Sequence, residues 1–157
     1  MRVFVDWLDT ASAARPGLAA AVLGIIAALG FPPLHLWPLA LVGIALFVAH
    51  LHRAPTWRAA LGRGWWFGWA HLTLANNWIA TAFTYQTKMP EVLGWIAVPL
   101  LGIYLAAYPA LAAGMAHGVA RRFMRQSIGL LGLGAVFAAS WIVMEWVRSW
   151  AFTGYPW

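Results

Sequence analysis

Cysteine is absent from these 157 residues. No disulfide, thiolate metal site or cysteine nucleophile can be assembled from them. Charge is nearly as scarce. Asp, Glu, Lys and Arg make up 9% of the sequence, where a soluble domain carries roughly 25%. Too few polar side chains remain to coat a water-facing surface. The four carboxylates form no cluster, and no HxxxH pair stands on a helix, so neither a metal nor a cofactor is expected. No nucleophile has a base beside it at a usable spacing, and no catalytic residue is assigned. Internal repeats and low-complexity tracts are missing too.

Apolar residues fill that space. They account for 63% of the chain, at a mean hydropathy of +0.73. Their runs are long and lack a period of two, which excludes a membrane barrel. The expected fold is all-α, a polytopic transmembrane helix bundle of about five spans, in which each helix satisfies its own backbone. The whole of 1–157 reads as one such domain, with spans at about 12–30, 34–51, 64–86, 92–118 and 128–150. The first apolar stretch, from Pro16 to Phe31, is short for a hydrocarbon core of ~30 Å. It resembles a cleaved signal peptide in ending on Ala27-Ala28-Leu29-Gly30. However, Asp6 and Asp9 stand where such a peptide is basic, and a second run follows at once. A retained hairpin of the first two helices, turning through Phe31-Pro32-Pro33-Leu34-His35-Leu36-Trp37-Pro38, is the preferred reading.

The basic residues fix an orientation. Arg2 and Arg15, then Arg53, Arg58 and Arg63, then Arg121, Arg122 and Arg125 lie on one side if all five segments span. That side holds eight of the ten Lys and Arg. Only Lys88 and Arg148 lie on the other. The positive-inside rule puts the N-terminus in the cytoplasm and the 31–37 turn, the 87–91 turn and the C-terminal loop outside. The net charge of +6 is then topology, and no nucleic-acid partner is expected. The 52–63 stretch reads as a short amphipathic connector. Many of the twelve tryptophans end apolar runs (Trp37, Trp57, Trp65, Trp66, Trp146, Trp150, Trp157) and suit the headgroup level.

Within the spans, small residues recur every fourth place at Gly102, Ala106, Ala110, Gly114 and Gly118, a stripe that lets another helix approach closely. Pro99 and Pro109 predict a bend in the same helix. Tyr104 and Tyr108 lie one turn apart beside the stripe, as packing. Asn76 and Asn77, inside the third span, are expected to face other helices. His71 is the histidine placed well inside a span, whereas His35, His50, His52 and His117 fall in turns or near helix ends.

The closing residues, EWVRSWAFTGYPW, are the most telling. Trp141, Glu145 and Arg148 share one face of the fifth helix, and Glu145 can pair with Arg148 at i, i+3. An ionisable pair in a span is a functional-site hypothesis. It competes with a structural anchor that fixes helix depth and clamps Thr153-Gly154-Tyr155-Pro156-Trp157.

Four stretches resemble the N-terminal membrane region of bacterial apolipoprotein N-acyltransferases. They are GFPPLHLWPLALVGI at 30–44, GWWFGWAHLTLANNWIATAFTYQTKMP at 64–90, LAAYPALAAGMA at 105–116 and ASWIVMEWVRSWAFTGYPW at 139–157. The last is similar to the family pattern E-[WF]-x-R-x-W-x-x-T-G-[FY]-P-W, and the Asn77-Trp78 and Met89-Pro90 pairs add to it. The resemblance implies an eight-span enzyme of the bacterial inner membrane with a periplasmic nitrilase-like domain. It implies acyl transfer from a phospholipid to the N-terminal cysteine of a diacylated apolipoprotein, through a thioester on a catalytic Cys helped by a Glu and a Lys. That domain and its three residues have no counterpart in these 157. The chain therefore reads as a fragment, expected to be inactive alone. By resemblance, Trp157 stands near the mouth of the active site and Tyr155 and Pro156 shape its loop, with Glu145, Arg148 and Asn77 in support of this substrate path. The competing class is a non-enzymatic membrane protein, a small transporter or an assembly subunit. Broken helices in pairs or several buried charges would mark a transporter.

Overall fold

A computed structural model of the chain describes residues 10, 13–85, 90, 92–123 and 129–151. These residues form helices α1 (Pro16–Ala28), α2 (Trp37–His52), α3 (Trp57–Ala75), α4 (Trp78–Thr84), α5 (Val92–Leu105), α6 (Ala107–Phe123) and α7 (Leu130–Trp150), with no strand among them. The all-helical expectation holds. Two stretches, Val92–Arg122 and Leu130–Trp150, are long and apolar enough to cross a membrane, while α1 and α2 are shorter apolar helices.

The helix limits follow from local chemistry. Pro16 occupies the first turn of α1, where its missing N–H is no loss. The chain turns through Pro32-Pro33, which is cis, and His35 at φ 52°. The turn closes with Leu36 N–H donating to the Leu29 carbonyl at 2.9 Å, so α1 and α2 form the expected hairpin. The stretch expected as a connector at 52–63 is mostly helix. Thr56 caps α3 by accepting the Ala59 N–H at 3.2 Å, and the helix starts at Trp57 rather than near residue 64.

The third apolar segment is not one continuous helix. Asn76 turns its side chain back, Nδ2 donating to the Leu72 carbonyl at 2.9 Å. Its backbone N–H uses the same carbonyl at 3.0 Å, and Asn77 N–H then tightens to Leu74 at 3.2 Å. An asparagine that competes for backbone groups breaks a helix in this way. The chain restarts as α4. Helices α5 and α6 form one bent rod around Ala106, since Pro109 cannot return a hydrogen bond to Leu105.

Packing is closest where glycine permits it. Gly24 of α1 lies against the backbone of α3, so that an added Cβ would stand 2.3 Å from the Phe67 carbonyl oxygen. Gly64 and Gly68 of α3 receive Pro109, Ala110 and Ala113 of α6. The small-residue stripe packs as expected against α3 at Gly102, which meets Trp69 and Thr73, and at Gly114, which meets Leu61 and Trp57. Gly118 meets nothing. The core gathers Leu23, Phe47, Leu51, Phe67, Leu133 and Phe137 from α1, α2, α3 and α7, and Phe47 stacks on Phe67 at 4.1 Å between centroids. Outside the core, large apolar side chains face outward, among them Leu41, Trp95, Leu100, Leu131 and Ile142.

Candidate functional site

One end of the bundle is basic. Arg63, only 5% exposed, donates from Nη1 to the His50 carbonyl, and His50 Nε2 donates to the Pro16 carbonyl at 3.0 Å. Arg121 reaches from α6 to the Pro55 carbonyl at 2.9 Å. Arg53 and Arg121 lie within electrostatic reach of this knot. The arginines read from sequence as topological also tie α1, α2, α3 and α6 together.

The opposite end carries the candidate site. Arg148 of α7 donates from Nη2 to Glu145 Oε2 across less than one helical turn, as the i, i+3 spacing required. The two partners are unequal. Arg148 is 8% exposed, while about a third of Glu145 is open. Facing them, Tyr104 and Tyr108 share a hydrogen bond between their hydroxyls at 2.9 Å, with rings perpendicular. The charge of Arg148 reaches both Tyr104 and His71. His71 is itself buried between Phe67, on which it stacks, and the edges of Phe31 and Trp141. Leu72, Leu105 and Tyr108 pack with Met144 and Val147 beneath the pair. Trp146 and Trp150 form an exposed aromatic couple on the same helix.

Of the residues singled out in the sequence, the structure joins Glu145 to Arg148 and sets Trp141 beside His71. Asn76 and Asn77 do not share one environment. Asn76 is buried and bonded to its own helix, whereas Asn77 is exposed at the start of α4 and makes no hydrogen bond or ion pair with Glu145 or Arg148. Tyr155, Pro156 and Trp157 lie outside the described residues, as do Lys88, Met89 and Arg125. The sequence reading took Tyr104 and Tyr108 only as packing and left His71 without a role. Its available signal was depth, because polar groups far inside an apolar run need partners. Among the described residues no group of His, Asp or Glu is arranged to hold a metal ion. The polar set can hold a charge in a dry setting and orient donors. Acid–base chemistry of its own would require a reacting group placed against it.

Comparison with known proteins identifies the lineage. Residues 23–157 match the model of the apolipoprotein N-acyltransferase N-terminal domain. The chain is 34% identical over 153 residues to an apolipoprotein N-acyltransferase of Pseudomonas paraeruginosa, covering 91% of this chain and 28% of that protein. It is 35% identical over 148 residues to that of Azotobacter vinelandii, with the same coverage. The apolipoprotein N-acyltransferase of Vibrio cholerae is 34% identical over 143 residues, covering 91% of this chain and 27% of the relative. The chain thus spans little more than a quarter of the length of the curated relatives it matches. By this match, continuous from the first helix through the glutamate–arginine pair, the chain belongs to the apolipoprotein N-acyltransferase N-terminal domain family.

Proposed function

We propose that these residues are the membrane region of an enzyme that moves an acyl chain from a phospholipid to the N-terminal amine of a diacylated lipoprotein. The observation that carries this reading is the family match through residue 157, including the EWVRSW segment whose Glu145 and Arg148 pair in the structure. Five segments cross the bacterial inner membrane in this reading: α1, α2, α3 with α4, α5 with α6, and α7. The N-terminus is cytoplasmic. Support comes from the gathering of Arg53, Arg63 and Arg121 at one end of the bundle, and from the apolar side chains that cover its outside. The 31-residue rod from Val92 to Arg122 exceeds a ~30 Å core at ~1.5 Å per residue, and its bend lets it lean.

The role of the region is to collect and orient substrate. Thioester chemistry needs a cysteine, and these residues contain none, so by themselves they do not transfer an acyl group. In this reading Glu145 and Arg148 anchor the end of α7 beside the substrate path, to which Asn77, Tyr155, Pro156 and Trp157 also contribute. The test is a chimera in which this chain replaces the matching region of the Vibrio cholerae relative. Mass spectrometry of a reporter lipoprotein should then find its N-terminal cysteine acylated. A chimera that inserts in the membrane, melts cooperatively and leaves that amine free would refute the reading.

A further inference from the structure

The basic end of the bundle is short of negative charge. Arg63 of α3 and His117 of α6 are both buried there, and Arg63 Nε has no hydrogen-bond partner. The charge that reaches Arg63 is that of Arg53, and those that reach His117 are Arg121, Arg63 and His52. None of them is negative. Glu145 is the only carboxylate among the described residues, and it is bound to Arg148. A buried cation without a counter-charge is strongly destabilising, so an anion held at this end offsets a real penalty.

The rim shows where an anion can sit. Arg121 is exposed near the end of α6, one turn beyond His117. His52, exposed at the end of α2, reaches the same His117. Arg121 donates from Nη2 to the Pro55 carbonyl at 2.9 Å. A guanidinium has five N–H donors in a planar fork, so one carbonyl fixes its place without exhausting it, and the fork matches the oxygens of a phosphate. The level is that of lipid headgroups. The indole of Trp57 rests on α6 at Gly114, and a half-exposed tryptophan of this kind marks the edge of the core. Arg121 stands seven residues further along α6, or ~10 Å beyond that edge. The headgroup charge is selected as well. The ammonium of a zwitterionic lipid would be carried into the same cations, where no carboxylate among the described residues can receive it.

We infer that Arg121, with His52 beside it, binds the phosphate of an anionic phospholipid in the cytoplasmic leaflet, and that this phosphate offsets the charge of Arg63 behind it. The choice of leaflet rests on the membrane reading above, whereas the choice of phosphate rests on the charges. Held in this way, the ends of α2 and α6 close over the start of α3, and the stability of the bundle follows the anionic lipid content of the bilayer.

The whole chain is purified in mixed micelles holding equal amounts of phosphatidylglycerol and phosphatidylcholine with the same acyl chains. Native mass spectrometry then counts the lipid that stays bound. Phosphatidylglycerol should be retained over phosphatidylcholine by about fivefold or more, and it alone should raise the thermal midpoint. Arg121→Gln should lower that retention about fivefold, the equivalent of ~1 kcal/mol for one basic residue at a lipid surface. Arg121→Lys keeps the charge but loses the fork, and should give part of the loss should the first variant loosen the fold. Arg122→Gln removes the same charge one residue on, ~100° around the helix, and should leave retention almost unchanged. The rise in midpoint should shrink in Arg63→Gln, where less charge is left to offset. Equal retention of the two lipids would overturn the inference. So would an equal loss with Arg122→Gln, which reduces the cluster to a diffuse field, or release of the lipid by inorganic phosphate, which makes the free ion the ligand. Retention is read on the folded chain without acyl transfer, so a chimera that leaves its amine free does not alter it, and equal retention sinks only this proposal.

Discussion

Gly24→Ala adds one methyl group where α1 lies directly against the backbone of α3. The new carbon would stand 2.3 Å from the Phe67 carbonyl oxygen, 3.1 Å from its carbon and 3.2 Å from the His71 nitrogen. Each of these is backbone, so no side chain can swing aside. Non-bonded carbons rest at ~3.5–4.0 Å, so α1 must retreat from α3 by about 1 Å. That retreat loosens Leu23 and Ala27 from Phe67, all three of them in the core. Overpacking of this kind costs ~1–3 kcal/mol. Alanine is also the better helix former, by ~1 kcal/mol, which masks part of the loss. Gly118→Ala supplies the correction, because its added methyl meets nothing within 4 Å. Both glycines are inside helices, the propensity terms cancel between the two variants, and the difference isolates the crossing. Tryptophan fluorescence during SDS titration of mixed micelles would follow unfolding. Gly24→Ala should unfold more easily than Gly118→Ala by ~1–3 kcal/mol. Equal midpoints for the two would refute the close approach of α1 to α3.

Four further outcomes are expected. Arg63→Gln, which breaks the buried contact with the His50 carbonyl, should cost ~1–3 kcal/mol in the same titration, whereas Arg58→Gln, at an exposed position, should be near neutral. Thr56→Ala should cost ~1 kcal/mol through the lost cap, and Thr56→Ser should restore most of it; equal losses in both would argue against the cap. Glu145→Gln should lower the thermal midpoint more than Arg148→Gln, because it strands the buried guanidinium without its counter-charge whereas the partly open carboxylate can be solvated, and the double variant should fall short of the sum. Single cysteines at 88 and 155 should react with an impermeant maleimide from outside intact cells and a cysteine at 58 only after lysis; the opposite pattern would reverse the orientation.

Helix positions were legible because they follow from composition alone. A run such as 130–150 has few polar residues at which to end, and the helix occupies it almost whole. The bend in the fourth apolar segment was announced by Pro109, and the stripe from Gly102 to Gly114 pointed to close packing. The break at Asn76 was harder to foresee, since asparagine in an apolar run reads equally as glue between helices. Only the bond from its side chain to Leu72 decides the matter. Thr56 carries the signal of a cap, but charged residues on both sides gave the segment the look of a linker. Glu145 and Arg148 were paired correctly by spacing. The approach of Tyr104 and His71 to that arginine depends on how three helices cross, which no local pattern encodes. The phosphate site was invisible for the same reason, because His52, Arg63 and Arg121 belong to three different helices.

Pro109 acts as a key in a slot. Its ring fills the notch over Gly68 and its carbonyl rests at Gly64, so α6 can neither slide along α3 nor turn about its own axis without lifting off a backbone. Arg121 of the arginine knot stands near the C-terminal end of α6, and Tyr108 stands near its N-terminal end. Ring against backbone leaves one register open to the two helices, so α3 and α6 behave as a single unit on which the shorter helices are hung.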